Sequence, residues 1–181
     1  MNSQNLKEII AKKYQLECEK NSQPQNKSLS KFLAIPIAPS LTYLDIVFRG
    51  NDKYNFSSRI SDKDLTILCN ALEESAPVLR HIDLSYNLIG NESAKSLAKI
   101  LSRCDSLESL NLQGNDIENA GVQAISEALH ENRTIQYLNL GFNRIKTDGA
   151  MAIVELLFTN KSIKELNLGM GFIFVVYLVN F

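Results

Sequence analysis

Cysteine, histidine and any surplus of one charge are scarce in this chain of 181 residues. The cysteines Cys18, Cys69 and Cys104 are odd in number and form no C-x-x-C pair, so neither a disulfide framework nor a cysteine zinc site is expected. Such usage fits free thiols in a reducing compartment, with Cys69 and Cys104 as packing residues. His81 and His130 are the two histidines, and neither has a metal-ligand partner three or four residues away, so no metal is expected. Net charge is -1 and the basic residues stand singly, without interleaved aromatics, which argues against a nucleic-acid partner. No apolar run approaches the ~20 residues that span a membrane. The opening MNSQNLKEIIAKKYQ lacks an apolar core and Gly does not follow Met1, so neither a secretory signal nor a myristoyl anchor is expected. The patterns G-x-x-x-x-G-K-[ST], G-x-G-x-x-G and G-x-S-x-G are absent, so no cofactor and no small-molecule substrate is expected.

What the chain does have is a repeat of 28 residues. Units open at Leu79 (LRHIDLSYNLIG), Leu107 (LESLNLQGNDIE) and Ile135 (IQYLNLGFNRIK), and a fourth opens at Ile163 with IKELNLGM. A fixed period of this size marks a solenoid, because one unit cannot bury its apolar face until a neighbour stacks on it. Each unit begins L-x-x-L-x-L, whose alternation predicts a short strand with one face in the core. An asparagine follows (Asn87, Asn115, Asn143), placed to bond backbone groups that a sharp turn leaves unpaired, and stacking predicts a ladder of these side chains. Ile89, Ile117 and Ile145 then plug the turn. Spacing becomes helical in the second half, as in Val122, Ile125 and Leu129. Gly121, Gly149 and Ser93 share a column near the helix start that requires a small residue.

The predicted architecture is an α/β leucine-rich-repeat solenoid: a short horseshoe arc with parallel strands on the concave face and helices on the convex face. Residues 1–31 read as an N-terminal helix, with Leu6, Ile9, Ile10 and Tyr14 on its apolar side, followed by a polar linker. Residues 32–78 hold a strand within Leu41 to Ile46 and an irregular first repeat, with Tyr54 and Phe56 as its strand and Leu65, Leu68 and Leu72 as its helix face. Residues 79–170 hold three regular repeats and the start of a fourth. Residues 171–181 form an apolar, non-repeat tail, expected to leave the last repeat uncapped.

These units resemble the ribonuclease-inhibitor-like leucine-rich repeats over residues 79–170. The run NDKYNFSSRISDKDLTILCNAL with LRHIDLSYNLIGNESAKSLAKIL is similar to the leucine-rich repeat-containing protein 34 family, and KYQLECEKNSQPQNKSLSKFL fits that family's N-terminal segment. The resemblance implies an intracellular, non-enzymatic protein, cytoplasmic or placed at the nucleolus or ciliary axoneme. Similar repeats occur in Ran GTPase-activating proteins, which implies an alternative role in activating or regulating a small GTPase. Arg49, in FRGN, is then the arginine to consider.

The expected functional element is a surface that binds a protein partner. Strand positions flanking the leucines point away from the core and line the concave face: His81, Asp83 and Ser85; Ser109, Asn111 and Gln113; Tyr137 and Asn139; Glu165 and Asn167. The adjoining loop column adds Tyr86 and Phe142, aromatics of the kind enriched at binding hot spots. His81 and Asp83 share a strand face but have no nucleophile motif beside them, so no catalytic residue is assigned.

Overall fold

The computed structural model describes residues 3–35, 43–51, 59–169 and 173–175, with residues 3–5 and 173–175 described by their backbone. In chain order the elements are α1 (Ser3–Lys20), α2 (Lys27–Ala34), β1 (Leu44–Val47), α3 (Asp62–Leu72), a 3-10 turn at Glu73–Val78, β2 (Leu79–Asp83) and α4 (Asn91–Leu101). Then come β3 (Ser109–Asn111), α5 (Asn119–Leu129), β4 (Tyr137–Asn139), α6 (Thr147–Thr159), β5 (Glu165–Asn167) and β6 (Ile173–Val175). The sheet runs β1 to β6 in sequence order, parallel from β1 through β5. Helices α3 to α6 pack side by side on its other face, and the core between the layers is the predicted leucine columns, with Leu107, Leu110, Leu112 and Ile117 fully buried.

Three features depart from the sequence expectation. The strand that pairs directly with β2 is Leu44–Val47, reaching past the expected Leu41 to Ile46 stretch, while Tyr54 and Phe56, expected as the first repeat's strand, lie outside the described residues. The polar linker is shorter than expected, because Asn26 caps α2 by accepting from Ser28 and Leu29 and buries Leu29 and Leu33 beneath it. Beyond residue 170 the chain returns as β6, antiparallel to β5, and occupies the backbone edge that the repeat would otherwise leave open.

Stacking is fastened by side-chain amides on both sides of the arc. On the strand side, Asn115 Nδ2 donates to Leu112 O in its own repeat and to Leu84 O in the previous one, both at 3.0 Å, while its Oδ1 accepts from Ile89 N at 3.1 Å. Asn87 repeats this with Leu84 O, Phe48 O and Ile60 N. Asn143 repeats it with Leu140 O, Leu112 O and Ile117 N.

A second ladder, unforeseen in the sequence, runs along the helix N-termini. The residues at the N-cap positions of α4, α5 and α6 are Gly90, Glu118 and Lys146, and none caps its own helix with its side chain. The cap comes from the preceding repeat. Asp62 accepts from Gly90 N (2.7 Å) and from the Ser93 hydroxyl. Asn91 Oδ1 accepts from Glu118 N and Gly121 N, both at 3.0 Å, and Asn119 Oδ1 from Lys146 N at 2.8 Å. This explains the small-residue column. A Cβ on Gly121 would lie 2.8 Å from Asn91 Oδ1, and one on Gly149 2.8 Å from Asn119 Oδ1. Ser93 is accepted because its own hydroxyl is the donor there.

The N-terminal helices close one end of the core, with Ile10, Tyr14 and Cys18 buried against α3. All three cysteines are buried, and burial pushes the Cys69 and Cys104 thiols up to about 12, so neither forms a thiolate readily.

Two stability measurements check this bonding scheme. Asn115→Ala strands the Ile89 amide in a buried turn, leaves the Leu84 and Leu112 carbonyls only their second donors, Asn87 and Asn143, and is expected to cost ~1–3 kcal/mol in urea melts; a melt superimposable on the parent would remove the ladder's structural role. Asn91→Ala removes the cap of α5 rather than of its own helix, α4. It should cost ~1–2 kcal/mol, with faster amide exchange at Glu118 and Gly121 and not at the start of α4.

Candidate functional site

The concave face is a grid fixed by strand register. His81 pairs with Ser109, Ser109 with Tyr137, and Tyr137 with Glu165. Beside that row, Asp83 pairs with Asn111, Asn111 with Asn139, and Asn139 with Asn167. Parallel pairing with no register shift from β2 to β5 brings these residues into two straight columns. The grid extends further than the repeat pattern indicated: Asp45 and Val47 on β1 stand opposite His81 and Asp83, and both are exposed. They escaped the sequence reading because β1 and β2 open 35 residues apart, at Leu44 and Leu79, so the 28-residue period does not reach β1.

Hydrogen bonding narrows what the middle column can offer. Each member turns a side-chain oxygen onto a backbone N–H two residues ahead: Asp83 to Ser85 (3.1 Å), Asn111 to Gln113 (3.1 Å), Asn139 to Gly141 (3.0 Å) and Asn167 to Gly169 (2.9 Å). These Asx turns shape the exit of each strand. Ser85 is 2% exposed, with its hydroxyl donated to Asp83, and Asn139 is 3% exposed, so both leave the contact surface on which the strand pattern placed them. The amide nitrogen of Asn139 donates to Gln113 Oε1 (3.0 Å) and to Tyr137 Oη (3.1 Å), and Gln113 Nε2 donates to Tyr86 Oη (2.8 Å). Tyr86, Gln113, Asn139 and Tyr137 are therefore one linked network across three repeats, with side chains held before any partner arrives. Its polar pattern lay in the sequence; its internal satisfaction did not.

Next to the grid is a column in the left-handed backbone region: Tyr86 (φ 59°), Gly114 (φ 69°) and Phe142 (φ 55°). Bulky L residues rarely adopt this conformation, which costs about 1–2 kcal/mol at each. The turn from strand to ladder asparagine sets it, and Gly114 meets it freely. Tyr86 recovers part of the cost by laying its ring over Gly114, where an added Cβ would come 2.6 Å from Tyr86 Cδ1. Phe142 does not, for its ring is 56% exposed.

The arginine singled out for the GTPase alternative sits at the grid's edge. Arg49 Nε donates to Asp83 Oδ2 at 2.6 Å, so its guanidinium is engaged with the strip. His81 Nε2 lies 4.0 Å from Glu108 on the neighbouring repeat. Among the described residues no group of three or more His, Cys, Asp or Glu is placed to hold a metal ion, and no helix is long and apolar enough to cross a membrane.

Comparison with known proteins agrees with this geometry. A leucine-rich-repeat family profile matches residues 75–98, 103–126 and 131–154. Among solved structures, the actin-binding site 2 of leiomodin-1 superimposes with a TM-score of 0.57 at 25% identity, over 74% of this chain and 73% of that one. The tropomodulin C-terminal domain of Caenorhabditis elegans superimposes with a TM-score of 0.60 at 13% identity, over 74% of this chain and 77% of that one. No curated protein sequence matches. The chain is thus an α/β leucine-rich-repeat solenoid, and its repeats, with the likeness to leiomodin-1, support a role in protein interaction.

The left-handed column yields a measurable expectation. Phe142→Asn places a residue tolerant of positive φ at an exposed position, so stability should hold or rise by up to about 1 kcal/mol. A clear fall in Tm would mean that the ring contributes to the fold more than its exposure indicates.

Proposed function

We propose that this chain is a non-enzymatic interaction scaffold that seats a protein partner on its concave face. The observation that carries the reading is Phe142, an aromatic side chain kept exposed on a backbone conformation that penalises it. Strain of this kind concentrates where structure serves binding. The contact surface consists of His81, Asp83, Ser109, Asn111 and Gln113, continues through Tyr137, Glu165 and Asn167, and is flanked by Tyr86 and Phe142. Asp45 and Val47 extend it at the β1 edge. Tyr137 and Phe142 supply the apolar anchors, and the amide nitrogens of Asn111 and Asn167 supply donors around them.

Actin is the first partner to test, because the leiomodin-1 structure is an actin-binding site and is 25% identical to this chain. The cytoplasm is the proposed location, with the nucleolus or ciliary axoneme as further places the sequence resemblance implies. The finer kinship with the leucine-rich repeat-containing protein 34 family rests on the run from Asn51 to Leu101 and the segment upstream of it. No observation favours the GTPase-activating alternative over the scaffold.

The test combines co-sedimentation with actin filaments, pull-down with monomeric actin, and proximity labelling in cells to recover other partners. For a recovered partner, Tyr137→Ala with Phe142→Ala should weaken binding by at least about tenfold, equivalent to ~1.4 kcal/mol, with circular dichroism unchanged. Binding should survive deletion of residues 172–181. Binding that withstands the double substitution but disappears with that deletion would refute the concave-face reading.

A further inference from the structure

The last full repeat leaves open the columns that its predecessor keeps covered. Ile117, Leu129 and Leu140 are fully buried, whereas Ile145, Leu157 and Leu168, each 28 residues further on, are only partly buried. Val154 is 44% exposed, at the position where α5 has the buried Ser126. With Leu166 these residues line a groove of about 510 Å³ between α6 and β5. It lies on the side where α4 packs against α5 and α5 against α6 at the earlier junctions.

Strand β6 delivers the chain to one end of this groove. Its last residue, Val175, pairs with Glu165 at the start of β5, six residues after α6 ends at Thr159. The sequence continues as VYLVNF from Val176 to Phe181, with five apolar residues in six and no charge. On α6 the lining runs from Thr147 to Leu157, about 15 Å along the axis. Six extended residues reach ~20 Å, enough to cross it from end to end.

We propose that Val176 to Phe181 lies back along α6 as an apolar strap that closes the open end of the leucine core. The contact takes Val154, Leu157 and Leu168 out of water together with side chains of the strap, and that loss of apolar surface drives it. The outer edge of the strap stays wet, so its backbone groups keep hydrogen-bond partners. A second copy of the chain offers the same apolar surface, but the strap is tethered. A short tether holds it at an effective concentration in the millimolar range, far above that of a separate chain at micromolar protein. The occupant is therefore the chain's own segment, and the closure is independent of partner binding on the concave face.

Two measurements test the strap. In the first, Val154→Cys is combined in turn with Tyr177→Cys, Val179→Cys and Phe181→Cys in the full chain, which is treated with copper–phenanthroline and run on non-reducing gels. Gln123→Cys, on the exposed side of α5, replaces Val154→Cys in the controls. The native cysteines are buried and do not compete. At least one Val154 pair should close within a single chain at least about tenfold faster than its Gln123 counterpart. In the second, thermal melts compare the full chain, a chain lacking residues 176–181, the Val154→Asp variant and the two changes combined. Deletion and Val154→Asp should each lower Tm by about 4 °C or more. Once the segment is gone, Val154→Asp should lower it by less than about 2 °C, because both changes act through one contact. Covalent dimers in place of the intrachain bond would assign the groove to a second copy and overturn the proposal. So would closure no faster than in the controls, or a Val154→Asp loss of equal size with and without the segment.

Discussion

A side-chain amide standing in for a missing backbone partner is the interaction on which this molecule depends. Every repeat must turn sharply from strand to helix, and a turn buried between neighbours has no water to bond its N–H and C=O groups. Asparagine supplies a donor and an acceptor from one rigid group, and at Asn115 both reach the previous repeat. The leucine core follows from that arrangement rather than preceding it. Leucines at 28-residue spacing make a continuous core only if the turns between them can be buried. With the ladder in place, register between strands is held without shift, and the concave grid is as regular as the sequence that encodes it.

Most of the fold was legible because two periodicities coincide in each unit, period two through L-x-L and helical spacing after the plug isoleucine. Strand positions, the facing residues His81 to Asn167 and the asparagine ladder follow from those alone. Legibility failed where bonds cross repeats or where spacing drifts. Asp62, Asn91 and Asn119 look like ordinary helix-starting residues, and nothing local indicates that each one caps the following helix. Strand β1 was located only loosely, because a longer connection separates it from β2. Ser85 and Asn139 have the composition of contact residues, but hydrogen bonds to Asp83, Gln113 and Tyr137 hold them inside.

The two faces use opposite physical strategies. On the concave side Tyr86, Gln113, Asn139 and Tyr137 are bonded to one another, which leaves the ring of Phe142 as an aromatic with surface to offer. On the convex side between α5 and α6, Asp148 and Glu155 form no ion pair among the described residues, so charge is exposed there.

The direction of the inter-repeat bonds has a consequence for how the molecule comes apart. The strand-side amides reach backward, from Asn115 to Leu84 and from Asn143 to Leu112, while the helix caps reach forward, from Asn91 to α5 and from Asn119 to α6. Each junction is thus clamped by two fasteners of opposite polarity, and losing a unit unsatisfies its neighbours on both sides. In a one-dimensional array this amounts to strong nearest-neighbour coupling with weak intrinsic stability per unit. Such a chain behaves as a zipper without a free middle: opening begins at an end, and a break in the centre carries the penalty of two interfaces at once.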